Sequence, residues 1–162
     1  MTNATAAGGT TFTMPSDREF TMTRVFAAPR ALVWAAWTDP EHIPHWMTGP
    51  DGWTMPICEI DLRPGGAWHF RWRGADGSEL DMTGEYREVR PPERMVWTES
   101  WGAEWPETLN TLLLVEQDGT TTLTQTMLFP SRQARDAAAE TGMQDGASVS
   151  FDRLAGYLAT IG

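Results

Sequence analysis

Apolar and polar positions alternate with period two through most of this chain, and the period lengthens to three or four in only a few places. REFTMTRVF (18–26) sets Phe20, Met22 and Phe26 on one parity, as a half-buried strand requires. Arg24 shares that parity, which means either a paired, semi-buried arginine or a bulge before Phe26. In APRALVWAAW (28–37), Leu32, Val33, Ala36 and Trp37 recur at helical spacing behind Pro29, a residue suited to the first helical position. TDPEHI restarts a helix with Asp39 as N-cap, and Pro44 limits it to about one turn. After the loop 48–52, period two returns in 54–62, 67–73, 79–89, 94–101, 108–117 and 120–129. RPGG, GADG, RPPE and DG are turns between these strands. AWHFRWR (67–73) is the clearest case, with Trp68, Phe70 and Trp72 on one face and His69, Arg71 and Arg73 on the other. Gly84 inside its strand marks a bulge or close packing. Ser131 caps a short Ala-rich helix. Thr141 and Gln144 stand at capping-box spacing before a stripe of Met143, Ala147, Phe151, Leu154, Leu158 and Ile161. Over roughly 18 residues that stripe is ~27 Å long.

The order is one strand, two short helices, six strands and a long helix. Short turns between consecutive strands imply an antiparallel meander, and its apolar face must be covered. The expected fold is therefore α+β: a curved antiparallel sheet of about seven strands around the C-terminal helix. Such a sheet touches the helix along a line and leaves space at the ends. The short helices and the 48–53 loop would close one end. Residues 1–16, small and polar, are expected to be a disordered tail, and 17–162 a single domain.

Composition sharpens this picture. Nine Trp and nine Met in 162 residues are more large, soft apolar surface than a core of this size needs, and a cavity wall would use both. The alternative is a Trp-rich core with no cavity. A formal charge of −10 argues against nucleic acid and anionic membrane surfaces, whose binding needs clustered cations. No signal-like or membrane-length apolar run is present, and a single cysteine permits no internal disulfide. The expected location is the cytoplasm.

Candidate chemistry is sparse. His42 and His45 form an H-x-x-H, but a zinc site needs three or four ligands and Pro44 spoils their alignment, so no metal and no cofactor is expected. Cys58, with Ile60 and Leu62 on its parity, reads as a structural thiol. No nucleophile elbow or phosphate-binding glycine pattern occurs. Strand parity carries the site argument. Trp68, Phe70 and Trp72 face the helix together, and Trp97, Trp101, Met127 and Phe129 could join them from neighbouring strands. Tyr86 and Glu99 are then polar groups on apolar faces. Glu99 is a paired structural group (with Arg24 or Arg71, for instance), a strand-end group in solvent, or a pocket acid. Trp34 and Trp37 pack the first helix, and Trp46 belongs at the pocket rim. The expected ligand-contacting set is Trp46, Trp53, Trp68, Phe70, Trp72, Tyr86, Trp97, Glu99, Trp101, Met127, Phe129 and Met143. Glu99, Tyr86 and His45 are the acid–base candidates.

RVFAAPRALVWAAWTDPEHIPHWM, CEIDLRPGGAWHF, GEYREVRPPERMVWTESW and TGMQDGASVSFDRLAGYLA together resemble the START-like, helix-grip (SRPBCC) superfamily. Within it they resemble the activator of Hsp90 ATPase homologue-like branch. The resemblance spans about 18–160 and implies a deep apolar cavity between helix and sheet. Many relatives carry a Trp pair where this chain has Trp46–Met47. Three functions are compatible: binding a small apolar or aromatic molecule, an enzyme of cyclase, dehydratase or hydrolase type acting in the cavity, and a chaperone-interacting module. A small hydrophobic ligand is the expected partner. A homodimer is compatible with the chain, and nucleic acid and membrane are not expected.

Overall fold

A sheet whose strands alternate in polarity must hide one face, and this chain hides it beneath one long helix. The computed structural model describes residues 9–48, 51–102 and 105–161. The strands are β1 (Thr10–Ser16), β2 (Glu19–Phe26), β3 (Thr54–Ile60), β4 (Ala67–Arg73), β5 (Glu79–Arg90), β6 (Arg94–Glu99), β7 (Thr108–Gln117) and β8 (Thr120–Leu128). They form one antiparallel sheet in the order β1-β2-β8-β7-β6-β5-β4-β3. β3 to β8 are a meander, and β2 closes against β8, so both ends of the chain's strand run meet at one side.

Helix α1 (Arg30–Thr38), a 3-10 turn at Ile43–His45, α2 (Arg132–Ala139) and α3 (Met143–Ile161) complete the domain. α3 buries Phe151, Leu154 and Leu158 against the sheet, on the side where β2 presents Phe20, Met22 and Phe26 and β8 presents Leu123, Gln125 and Met127. Phe26 and Phe151 meet edge to face at 6.2 Å between centroids, a favoured aromatic geometry.

Several expectations change on contact with the structure. The tail was expected to extend to residue 16, yet Thr10–Ser16 is the edge strand β1, which makes the sheet eight-stranded. Its register sets Phe12 opposite Met22, and Phe12 also packs on Phe20 at 5.8 Å. The open edge of β2 and the strand preference of threonine favour pairing that a small, polar composition concealed. Residues 1–8 of the expected tail lie outside the described residues. Arg24 is the paired alternative, with no bulge at Phe26: β2 runs in unbroken register against β8, and Arg24 Nη1 donates to Asp152 on α3 at 2.7 Å. The helix restart at Asp39 amounts to the 3-10 turn, with Asp39 Oδ1 accepting from the Glu41 N–H. Ser131 caps α2 as expected. Thr141 does not form the capping box, because its hydroxyl donates back to the Ala138 carbonyl.

Gly84 is a close-packing glycine. A Cβ there would lie 1.9 Å from the Thr98 carbonyl oxygen and 2.6 Å from the Trp68 ring. The bulge in β5 falls further along, between Tyr86 and Glu88.

Candidate functional site

The strand register determines which side chains share the concave face. β4 and β5 set Phe70 beside Met82 and Trp72 beside Leu80, and β5 and β6 set Tyr86 beside Trp97. One strand further, Met95 lies beside Leu112, and Leu112 beside Gln125. α3 approaches this surface with small residues, Gly146, Ala147 and Ser150, between Met143 and Phe151. The result is a cavity of about 510 Å³ between sheet and helix. α1 supplies Trp37 to its wall, and the connection after it supplies Trp46, Met47 and Trp53.

The wall is built from interlocked rings. Trp72 stacks on Trp101 at 5.5 Å and 13°, and Phe70 meets Trp72 edge-on at 6.0 Å. Trp37 contacts both Trp46 and Trp97. Two indole N–H groups tie the wall to backbone: Trp46 to the Ala36 carbonyl at 2.9 Å and Trp72 to the Met47 carbonyl at 2.6 Å. Such bonds satisfy the polar edge of a buried indole and fix its orientation.

Four polar side chains, Glu99, Tyr86, Gln125 and Ser150, line this otherwise apolar space. Glu99 is buried at the end of β6. Its two oxygens accept one indole N–H each, from Trp101 at 3.1 Å and from Trp97 at 3.4 Å. Burial pushes its carboxyl above the ordinary carboxylate value, and the two indole donors oppose that shift without cancelling it. No basic side chain lies within ion-pair distance of Glu99 among the described residues. Arg24 is paired with Asp152, and Arg71 with Asp81. Glu99 is thus neither of the structural pairs its sequence allowed. Tyr86 is also buried. Burial, and secondarily the nearby Cys58, raises its pKa. Gln125 donates to Asn110, which donates to Thr108, a short buried polar chain that ends at the cavity.

Most of the expected contact set lines this cavity, and the exceptions have identifiable causes. Met127 and Phe129 are buried but do not border it; they belong to the packed end of the core near Phe20. Trp46 is 1% exposed, a wall residue and not a rim residue. His45 is exposed and stacks flat on Tyr157 of α3 at 4.8 Å, outside the cavity. His42 bonds the Tyr157 hydroxyl through Nδ1 at 2.5 Å. The H-x-x-H is therefore used to dock the 3-10 turn on α3. No group of three or more His, Cys, Asp or Glu side chains is placed to hold a metal among the described residues. Cys58 is half-buried, and its thiol is pushed up to about 11, by burial first and then by Asp39.

Met22, Trp37, Met82, Met95 and Gln125 are wall residues that the sequence reading did not include. The four strand residues share parity with core positions and Trp37 shares the apolar face of α1, so the available signal could not separate wall from core. The small residues of α3 were a legible sign: Gly146, Ala147 and Ser150 leave little bulk between Met143 and Phe151, where a packed helix would carry it.

Among families of known proteins, the one described as "Activator of Hsp90 ATPase homolog 1-like protein" matches residues 27–159. A crystal structure of a Rhodobacter sphaeroides protein is 29% identical, covering 94% of this chain and 99% of that one, with a TM-score of 0.87. Crystal structures of proteins from Nitrosomonas europaea and Mycobacterium smegmatis, each 24% identical, superpose with TM-scores of 0.80 and 0.79. Each covers 91% of this chain, and 97% and 95% of the respective relatives, and shows the fold alone. No curated protein matches the chain. No helix among the described residues is long and apolar enough to cross a membrane.

Proposed function

This chain belongs to the activator of Hsp90 ATPase homolog 1-like family, and from that premise we propose that it binds a small apolar or aromatic molecule in the cavity between sheet and α3. One observation carries the reading: a cavity of about 510 Å³ walled by indole, phenyl and thioether groups holds a buried carboxyl with no basic partner among the described residues. The volume falls in the range of small-molecule sites, and a few convergent polar groups in an aromatic wall are their usual composition. Removing one aromatic ring of ~150 Å² from water at ~25 cal/mol per Å² contributes about 4 kcal/mol. Association entropy subtracts from this, so a ligand without a polar anchor binds at about micromolar affinity or weaker.

Tryptophan fluorescence tests it. Flat one- and two-ring compounds quench the emission saturably, because Trp37, Trp46, Trp68, Trp72, Trp97 and Trp101 all border the cavity. No saturable response across such a panel, with the protein folded by circular dichroism, overturns the reading.

A second reading, catalysis of cyclase, dehydratase or hydrolase type, draws on one further feature. Glu99 and Tyr86, two of the three acid–base candidates, line the same space. It requires that a compound bound in the cavity be turned over, and that Glu99→Gln abolish the turnover while retaining binding. Quantitative recovery of every bound compound unchanged sets it aside.

A further inference from the structure

Building on the ligand site proposed above, we infer that the guest is an organic cation: an aromatic or alkyl amine or quaternary ammonium held between the indole faces and the Glu99 carboxylate. Three features of the molecule converge on this class. First, among the described residues that line the cavity there is no Arg or His, and the sequence contains no lysine, so nothing basic in the wall competes for Glu99. Second, each Glu99 oxygen already receives an indole N–H, from Trp97 or Trp101. That arrangement suits a carboxylate, in which both oxygens accept, better than a carboxylic acid, in which one must donate. Third, the wall around it is aromatic, and each ring there carries the negative face of an aromatic quadrupole. Trp72 and Trp101 stack at 5.5 Å, and Trp97 lies cross-strand from Tyr86. Aromatic faces and a carboxylate both attract positive charge, and a desolvated cation gains most from them.

The free protein keeps this carboxyl at a cost. Without a counter-charge, burial favours its protonated form. An incoming cation supplies the missing partner and releases the proton, so binding and deprotonation are coupled. The net charge of −10 adds a long-range attraction for cations and none for anions. A neutral guest gains the apolar contacts but leaves the carboxyl unpaired. An anionic guest meets a like charge.

The test compares benzyltrimethylammonium with its neutral carbon isostere, neopentylbenzene, by calorimetry and tryptophan fluorescence. The two differ in charge and hardly in shape. The cation binds about tenfold or more tighter, and Glu99→Gln reduces the preference to about threefold or less while neopentylbenzene binding persists. A pH series gives a second readout that needs no variant. Cation affinity falls as the pH is lowered and Glu99 takes up its proton, while the neutral isostere is unaffected. Tyr86, from β5 and with Cys58 behind it, is the other titratable group facing this space. α1, β8 and α3 present Trp37, Gln125, Met143, Ala147 and Ser150 there, none of which titrates. Equal or tighter binding of neopentylbenzene overturns the cation assignment and leaves the ligand site standing. Loss of both ligands from folded protein overturns both. A cation preference unchanged in a folded Glu99→Gln variant, or independent of pH, removes Glu99 from the account.

Discussion

Glu99 receives two indole N–H groups and, among the described residues, no cation, and its titration should be visible in the stability of the whole protein. Its carboxyl is raised above the ordinary value of 4.5, so the native state holds this proton to higher pH than the unfolded chain does. Between those two values the native state binds more protons, and stability falls as pH rises. Glu99→Gln has no such dependence. Its melting temperature relative to the parent should increase as the pH rises above the ordinary carboxyl value of 4.5, as followed by scanning calorimetry. A constant difference would show that Glu99 titrates normally. Asp81, lowered by its bonds from His69 and Arg71, works in the opposite sense, but it is common to both proteins and cancels. Gly84 offers a second residue-scale test. Because a Cβ would meet the Thr98 carbonyl at 1.9 Å, Gly84→Ala should cost about 2–4 kcal/mol in denaturant unfolding. An unchanged midpoint would mean that β5 and β6 can separate there freely. At this scale the sequence was informative about identity and less so about partners. Glu99 and Tyr86 stood out as polar residues on apolar faces, but strand parity does not reveal whether an indole or an arginine sits across from a carboxyl.

The strands were the most legible elements. β4 and β5 begin where alternation begins, because Trp68, Phe70 and Trp72 leave no choice of buried face. β1 was not legible. Its pairing depends on the unsatisfied edge of β2, which exists only after folding. α3 was legible in extent from the spacing of Phe151, Leu154 and Leu158, yet its start was assigned to a capping box that Thr141 does not form. α3 also carries two glycines whose added Cβ would meet nothing within 4 Å. Gly156 lies away from the cavity. Gly156→Ala should stabilise the protein by about 0.5–1 kcal/mol through lost freedom in the unfolded chain, raising the melting temperature by ~1–4 °C. A decrease would show that Gly156 meets a neighbour that this packing does not contain. Gly146 is equally unconfined, but it borders the cavity, where a methyl group would take up ligand space.

For the molecule as a whole, a twisted sheet folded around a single helix cannot touch it everywhere, and the remaining gap is the property from which function is argued. Composition pointed to this gap through nine tryptophans and nine methionines. It could not say which of them border open space, because Met127 and Met82 obey the same parity and only Met82 lines the cavity. Nuclear magnetic resonance of the indole N–H groups tests the central claim directly, since each tryptophan gives its own signal. Titration with benzyltrimethylammonium or another small aromatic guest should shift the Trp72, Trp97 and Trp101 signals saturably, while that of Trp105, 43% exposed, stays in place. Cavity indoles that stay fixed in a folded sample, or shifts confined to the outer surface, would contradict the account.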